Sequence, residues 1–388
     1  MLKQRYIMKK TTIFSIFKYL ILFLSIIYTL AFSDVYTFNN KYLLQSEAVD
    51  SLSHQKIDIL TQLEAVDKHK TAIVSDVKSG GTFIYNPLRS KENDGVTVFN
   101  GWERTAYKEG KVLLSWAGAK GDGQTDDTVA IQKALNTDAK EIVGEGTFVI
   151  SDPLKDGTPT LLNTTSNRTI YIKKLTAHST VLKAFQSNGN GCKITMEIAG
   201  NHKIASAIKV VGNNNEISES YIKDLYTPTY SAIGIQIVGS YNKVKNNTLN
   251  NFEAAGDKKL GNGNGMSRAI LISSKKPVGG NIVEKNDINN IIGEEGDAIV
   301  VIASNHKHFL NSEIIIRNNN INNFTRRGIK VQAQKTKILE NYFKSNIKTT
   351  RAMSVIDFVQ GGDHICYGNI IDGCILFSGI SVYEPRGS

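Results

Sequence analysis

A chain of 388 residues, 41% of them hydrophobic, can bury a substantial core in one large or two modest domains, which excludes wholesale disorder. Glycine is frequent (32), proline scarce (6), and asparagine clusters in the second half, so tight turns between strands are well supplied. A formal net charge of +10 suits an acidic partner (anionic polysaccharide, nucleic acid or a membrane surface), although a lysine-rich composition gives the same figure without one.

Lys9 and Lys10 precede an apolar stretch from Tyr19 to Phe32, and Ala31 and Ser33 have the small-residue spacing of a cleavage site before Asp34. Residues 1–33 therefore read as a secretory signal peptide, and the mature chain is expected to be secreted, periplasmic or at the cell surface. Ile13 to Phe32, with only Lys18 charged, is at about 20 residues also long enough for an uncleaved membrane anchor. Residues 34–78 carry apolar side chains at helix-like spacing (Leu44, Val49, Leu52, Ile57, Leu60, Leu63), which predicts a short helical or partly ordered stem. Residues 79–112 form a small β linker region: Ser79 to Tyr85 and Gly95 to Phe99 read as strands, with Trp102 placed to pack beyond them. Cys192, Cys366 and Cys374 lack metal-ligand spacing and read as buried free thiols, a Cys366–Cys374 bridge being the alternative in an oxidising compartment.

The organisation changes near residue 113. Trp116 to Leu135 reads Trp-Ala-Gly-Ala-Lys-Gly-Asp-Gly-Gln-Thr-Asp-Asp-Thr-Val-Ala-Ile-Gln-Lys-Ala-Leu. Its glycines permit a tight turn, Thr125 or Asp126 can cap a following helix, and Ile131, Ala134 and Leu135 form an apolar patch that must cover something. This segment resembles the N-terminal signature of the pectate-lyase superfamily, which includes rhamnogalacturonase-like enzymes and phage tailspike depolymerases. The resemblance implies an all-β fold over residues 113–388, a right-handed parallel β-helix whose open end is plugged by the helix. A bare end would expose unpaired strand edges. Asp122, Asp126 and Asp127 could bind calcium or act as catalytic carboxylates, but the resemblance favours a structural role; no other cofactor and no metal ligand set is expected.

Beyond the motif the chain repeats. One strand type begins near Ala207, Gly234, Ala269, Ala298, Gly328 and Val355; a second begins near Ile217, Val244, Val283, Ile315, Ile338 and Ile365. Equivalent strands recur at roughly 23 to 39 residues, the spacing of stacked coils with variable loops. Most second-type strands run into asparagine-rich corners such as Asn246 to Asn251 and Asn318 to Asn323, where stacked amides can bond along the axis.

Aligning the first strand type places Arg268, Asp297 and Arg327 in one outward column on adjacent coils, with Lys330 and Asp357 in a second column. Glu294 and Glu295 lie in the turn just before Asp297. Two carboxylates flanking a glycosidic bond serve hydrolysis, so Asp297 with Glu294 or Glu295 are the candidate catalytic residues. For elimination from a uronate, Arg268, Arg327 or Lys330 would neutralise the substrate carboxylate while a base takes the C5 proton. His306, in a loop from Asn305 to Asn311, is a further candidate for substrate binding, with His308 beside it; a charge ladder that only stabilises the coils is the competing reading.

The sequence therefore predicts an exported polysaccharide-degrading enzyme, a glycoside hydrolase or a lyase, with an anionic surface or capsular glycan as partner and nucleic acid excluded. A non-catalytic β-helical adhesin or an inactive tailspike remnant is the alternative. The resemblance also implies a homotrimer. Two departures stand against it: tailspikes carry no signal peptide, and the paired-Asp and His-Gly patterns of polygalacturonases are incomplete here. The last coil reaches Phe377 to Tyr383 without a visible cap.

Overall fold

The computed structural model describes residues 54–383, apart from 153–157, 229–230, 256–264, 275, 304–312, 350 and 375–376. The expected leader, the first part of the expected stem, and His306 and His308 lie outside the described residues.

The first unit is a small sheet in the order His54–Ile57, Thr71–Val74, Gly81–Tyr85, Trp102–Arg104, Val98–Phe99. This corrects the reading of a helical stem up to residue 78. Its described part is a strand, a 3-10 turn over Leu60–Ala65 and a second strand that pairs with Gly81–Tyr85, so no boundary falls at residue 78. Side chains three apart eclipse in a 3-10 turn, which satisfies the Leu60/Leu63 spacing as well as an α-helix would. Leu63 packs with Ala72, Val74, Phe83 and a fully buried Trp102.

Residues 111 to 382 coil into a parallel β-helix. Nine strands among the described residues form one sheet in strict sequence order, from Leu161–Asn163 through Met266–Ser274, Glu295–Ala303 and Arg327–Gln332 to Ser378–Val382. Each strand pairs in parallel with the equivalent strand of the next coil, so residue types repeat as columns. Ile208, Ile235, Ile270, Ile299, Ile329 and Ile356 form one such inward column, all fully buried. Each contributes about 1.5–3 kcal/mol by leaving water. On the other walls Ile217, Val244, Val283, Ile316 and Ile338 stack likewise, as do Ile222, Leu249, Ile288, Ile321 and Phe343. The small residue preceding the isoleucine column has a steric cause: a Cβ on Gly328 would lie 2.7 Å from the Phe343 ring.

The corners explain the asparagines. Glu219, Asn246, Lys285, Asn318 and Glu340 adopt the left-handed conformation at one corner of successive coils. The residue after each turns inward, and these form a ladder. The backbone amides of Ser220, Asn247, Asn286, Asn319 and Asn341 donate to the side-chain oxygen of the asparagine one coil on, ending at Asn369, at 2.9–3.0 Å. A second ladder runs through Cys192, Asn215, Asn242 and Asn281. Most of these amides are bonded inside the wall, the Asn242 Nδ2 being buried without a partner among the described residues.

The helix Thr128–Leu135 covers the first coil with Ile131, Ala134 and Leu135, all fully buried in the main core. Its three preceding aspartates hold the turn. Asp126 accepts from the Thr128 amide at 2.9 Å. Asp122 accepts from the Gln124 and Thr125 amides, which hold its carboxyl well below the usual range. Asp127 turns away from the helix to accept from the amides of Lys120 (2.6 Å) and Gly121 (3.0 Å), while burial pushes its carboxyl upward. The described residues contain no group of three or more His, Cys, Asp or Glu that could hold a metal ion. Cys192, Cys366 and Cys374 are free thiols, with burial raising the last two.

Candidate functional site

The nine-stranded sheet presents the predicted charges in the expected columns. Arg268 pairs in register with Asp297, and Asp297 with Arg327; Lys330 is opposite Asp357. Alternation sends Lys330 and Asp357 outward beside the inward Ile329 and Ile356. Arg268, Asp297 and Arg327, by contrast, lie two residues before an inward isoleucine and reach the outer face because the small residue between them, packed in the core, breaks the alternation. Small residues after the charged position let the backbone turn toward the core at that point.

Contact and exposure differ from the expectation of an open carboxylate pair. Asp297 has no exposed surface, and Arg268, Arg327 and Asp357 are also buried. Arg327 donates from Nε to Asp357 Oδ2 at 2.6 Å and from Nη1 to Asp297 Oδ1 at 3.2 Å. The Ser381 hydroxyl donates to the other Asp357 oxygen and is bonded to Ser354 at 2.6 Å. A second group of linked charges lies beside this one. Glu295 accepts from Arg326 at 2.8 Å and lies 3.5 Å from Arg268, while the Met353 sulfur accepts from Arg326 Nε and the Met266 sulfur from an Arg268 Nη.

Burial dominates the electrostatics. It pushes the Asp297 carboxyl above the usual carboxylate range, against the opposing pull of Arg327, Lys330 and Arg268. The Arg327 guanidinium is held more firmly charged, because Asp297 and Asp357 together outweigh its own desolvation. The two directions are compatible: one cation gains from two carboxylates, whereas Asp297 shares its cation and loses all of its water. Burial lowers the amines and guanidiniums of Lys330 and Arg268. The Arg268 Nε is buried without a hydrogen-bond partner among the described residues.

Glu294 occupies the expected turn, half-buried and with no ion pair among the described residues. Arg326, 24% exposed at its side chain, was not singled out by sequence and is a solvent-reaching cation of the cluster. The Arg326-Arg327 doublet was its only signal: neighbours in a strand face opposite ways, yet here the first lies in the turn entering the strand and stays on the outer face. The groups that reach solvent are Lys330, Arg326 and Glu295. Asp297 could meet a glycosidic oxygen only if its cover moved.

No family model matches the chain, and no curated protein matches it. Solved structures similar to it include the Dettilon tailspike protein, 16% identical over 69% of this chain and 62% of that one, with a TM-score of 0.40. Tailspike protein 2 of bacteriophage CBA120, in its enzymatically active domain, is 10% identical over 80% of this chain and 49% of that one, TM-score 0.45. The A-module of a mannuronan C-5 epimerase from Azotobacter vinelandii is 13% identical over 71% of this chain and 99% of that one, TM-score 0.31. The chain thus spans about half to three-fifths of the two tailspike structures. The β-helix architecture rests on the strand pairing above rather than on these likenesses.

Proposed function

We propose that the chain acts on an acidic polysaccharide laid across the outer face of the nine-stranded sheet, and that it cleaves by elimination with Lys330 as base. The observation that carries this reading is Lys330 itself, a half-buried lysine whose amine is lowered by burial and which borders a cluster of arginines. Burial favours the neutral form of such an amine, the form that a general base needs.

The neutral amine takes the C5 proton of a uronate whose carboxylate is neutralised by Arg326, the guanidinium of the cluster that reaches solvent. The C5–H electrons form the C4–C5 double bond and expel the C4 oxygen, which takes back the proton that Lys330 has acquired. The Asp297–Arg327–Asp357 chain is buried and acts as a rigid frame beneath the reacting groups. Hydrolysis by Asp297 with Glu295 is less well supported, because Asp297 is sealed and Glu295 is held between Arg268 and Arg326. With the leader read over residues 1–33, the substrate would be met outside the cytoplasm.

The test is a screen of purified protein against polygalacturonate, alginate and acidic capsular polysaccharides, following reducing ends and the ultraviolet absorbance of unsaturated uronates together. Both signals should rise, and Lys330→Met should lower the rate by about 100-fold or more while substrate still binds. Reducing ends without absorbance would replace elimination by hydrolysis. Binding without either signal would favour a non-catalytic glycan-binding protein, a reading supported by the full pairing of Asp297 and Asp357 in the frame.

A further inference from the structure

A cavity of about 670 Å³ lies away from the charge cluster. It opens at the ends of the strands Ile204–Val210, Ala232–Ile237 and Met266–Ser274. Lys209, Gln236 and Ser273 line it from the strands, and Asn213, Ser240 and Lys276 from the following turns. Val211, Val238 and Pro277 give it an apolar wall, and no carboxylate lines it among the described residues. Its volume is within the common range of small-ligand sites.

Lys209 and Gln236 stand in register, and the same outward column continues through Leu271 and Val300 to Lys330. Four coil steps separate Lys209 from Lys330, about 19 Å at the spacing of paired strands. Leu271 and Val300, between them, are buried, so the cavity and the charge cluster are separate openings on one sheet.

We propose that this cavity is a second, non-catalytic binding site for an acidic sugar unit, and that it anchors the glycan apart from the place where it reacts. The ligand class rests on the proposed function; the site does not, since its chemistry is independent of Lys330. A pyranose offers an apolar ring face, hydroxyls and, in a uronate, one carboxylate. Val211, Val238 and Pro277 match the ring face; Asn213, Gln236 and Ser273 match the hydroxyls; Lys209 and Lys276 match the anion. Burial and the neighbouring Lys183 both lower the Lys209 amine, a penalty that a bound carboxylate would relieve.

Oligogalacturonate and a neutral gluco-oligosaccharide of equal length, titrated calorimetrically into the full chain at low salt, decide it. Lys209→Met/Lys276→Met should bind the oligogalacturonate at least about tenfold more weakly than wild type. Lys276→Glu, a change at an exposed position, should weaken it in the same direction with folding undisturbed. The neutral oligosaccharide should bind wild type more weakly than the acidic one. Equal affinity in wild type and the double variant, or equal binding of both sugars, overturns the second site and leaves the elimination reading intact. Weakened binding in the double variant with no cleavage of any glycan supports the second site and removes the enzyme.

Discussion

Arg327 holds two aspartates that lie two coils apart: its Nε donates to Asp357 and its Nη1 to Asp297, and all three side chains are buried. The ion pairs therefore run along the solenoid axis, linking the strands Glu295–Ala303, Arg327–Gln332 and Ser354–Gln360 beyond their backbone ladder. Removing the cation strands two carboxylates without water. Arg327→Leu should cost on the order of 3–5 kcal/mol, read as a lower midpoint in urea denaturation. Arg327→Lys should recover only part of this, since one ammonium cannot reproduce a planar fork aimed at two partners. A variant as stable as wild type would mean that the frame carries no stability.

The same frame sets a pH dependence. Ordinary aspartate titrates near 3.8, and burial raises Asp297 above that value in the folded chain. The folded state thus binds the Asp297 proton more tightly than the unfolded state does. Its contribution to stability is complete below pH 3.8 and is lost as pH rises through the raised folded value. Asp297→Asn abolishes that loss. The stability of Asp297→Asn relative to wild type should therefore climb with pH across this window and level off above it, as measured by urea midpoints at successive pH values. A difference that stays flat or falls would show that the surrounding cations, and not burial, set the carboxyl.

How far the sequence carried is visible in these residues. The columns containing Arg268, Asp297, Arg327, Lys330 and Asp357 were legible, because parallel stacking turns a repeat alignment into a register. The burial of Asp297 was not, since it depends on how long side chains fold over the column and not on strand alternation. Arg326 and Ser381 were missed for the same reason: their roles come from reaching across coils. The apolar spacing around Leu60 and Leu63 suited both a helix and a 3-10 turn between short strands, and tertiary pairing with Gly81–Tyr85 decided it.

The asparagine ladder should fail unevenly. Asn286 accepts from the Asn247 amide and side chain and donates to Asn319 and to the Val244 carbonyl, all in the dry wall. Asn286→Ala leaves several of these unmet, at about 1–3 kcal/mol for each stranded group. Asn369 makes similar bonds but is only partly buried on the last described rung, where water can substitute. Asn369→Ala should cost clearly less in a denaturation series. Equal losses would show that the rungs act as one cooperative unit rather than as separate bonds.

The end helix offers a comparison within one element. Leu135 is fully buried against the first coil, whereas Val129, six residues earlier on the same helix, is 81% exposed. Leu135→Ala opens a cavity at the end of the solenoid and should cost about 2–5 kcal/mol. Val129→Ala should stay within about 0.5 kcal/mol of wild type. Loosening the helix also uncovers the edge of the first coil, a template for pairing with another chain. Leu135→Ala should therefore aggregate on mild heating, seen by light scattering at a temperature where Val129→Ala remains clear. Equal scattering from both variants would mean that the helix packs on the coil without protecting its edge.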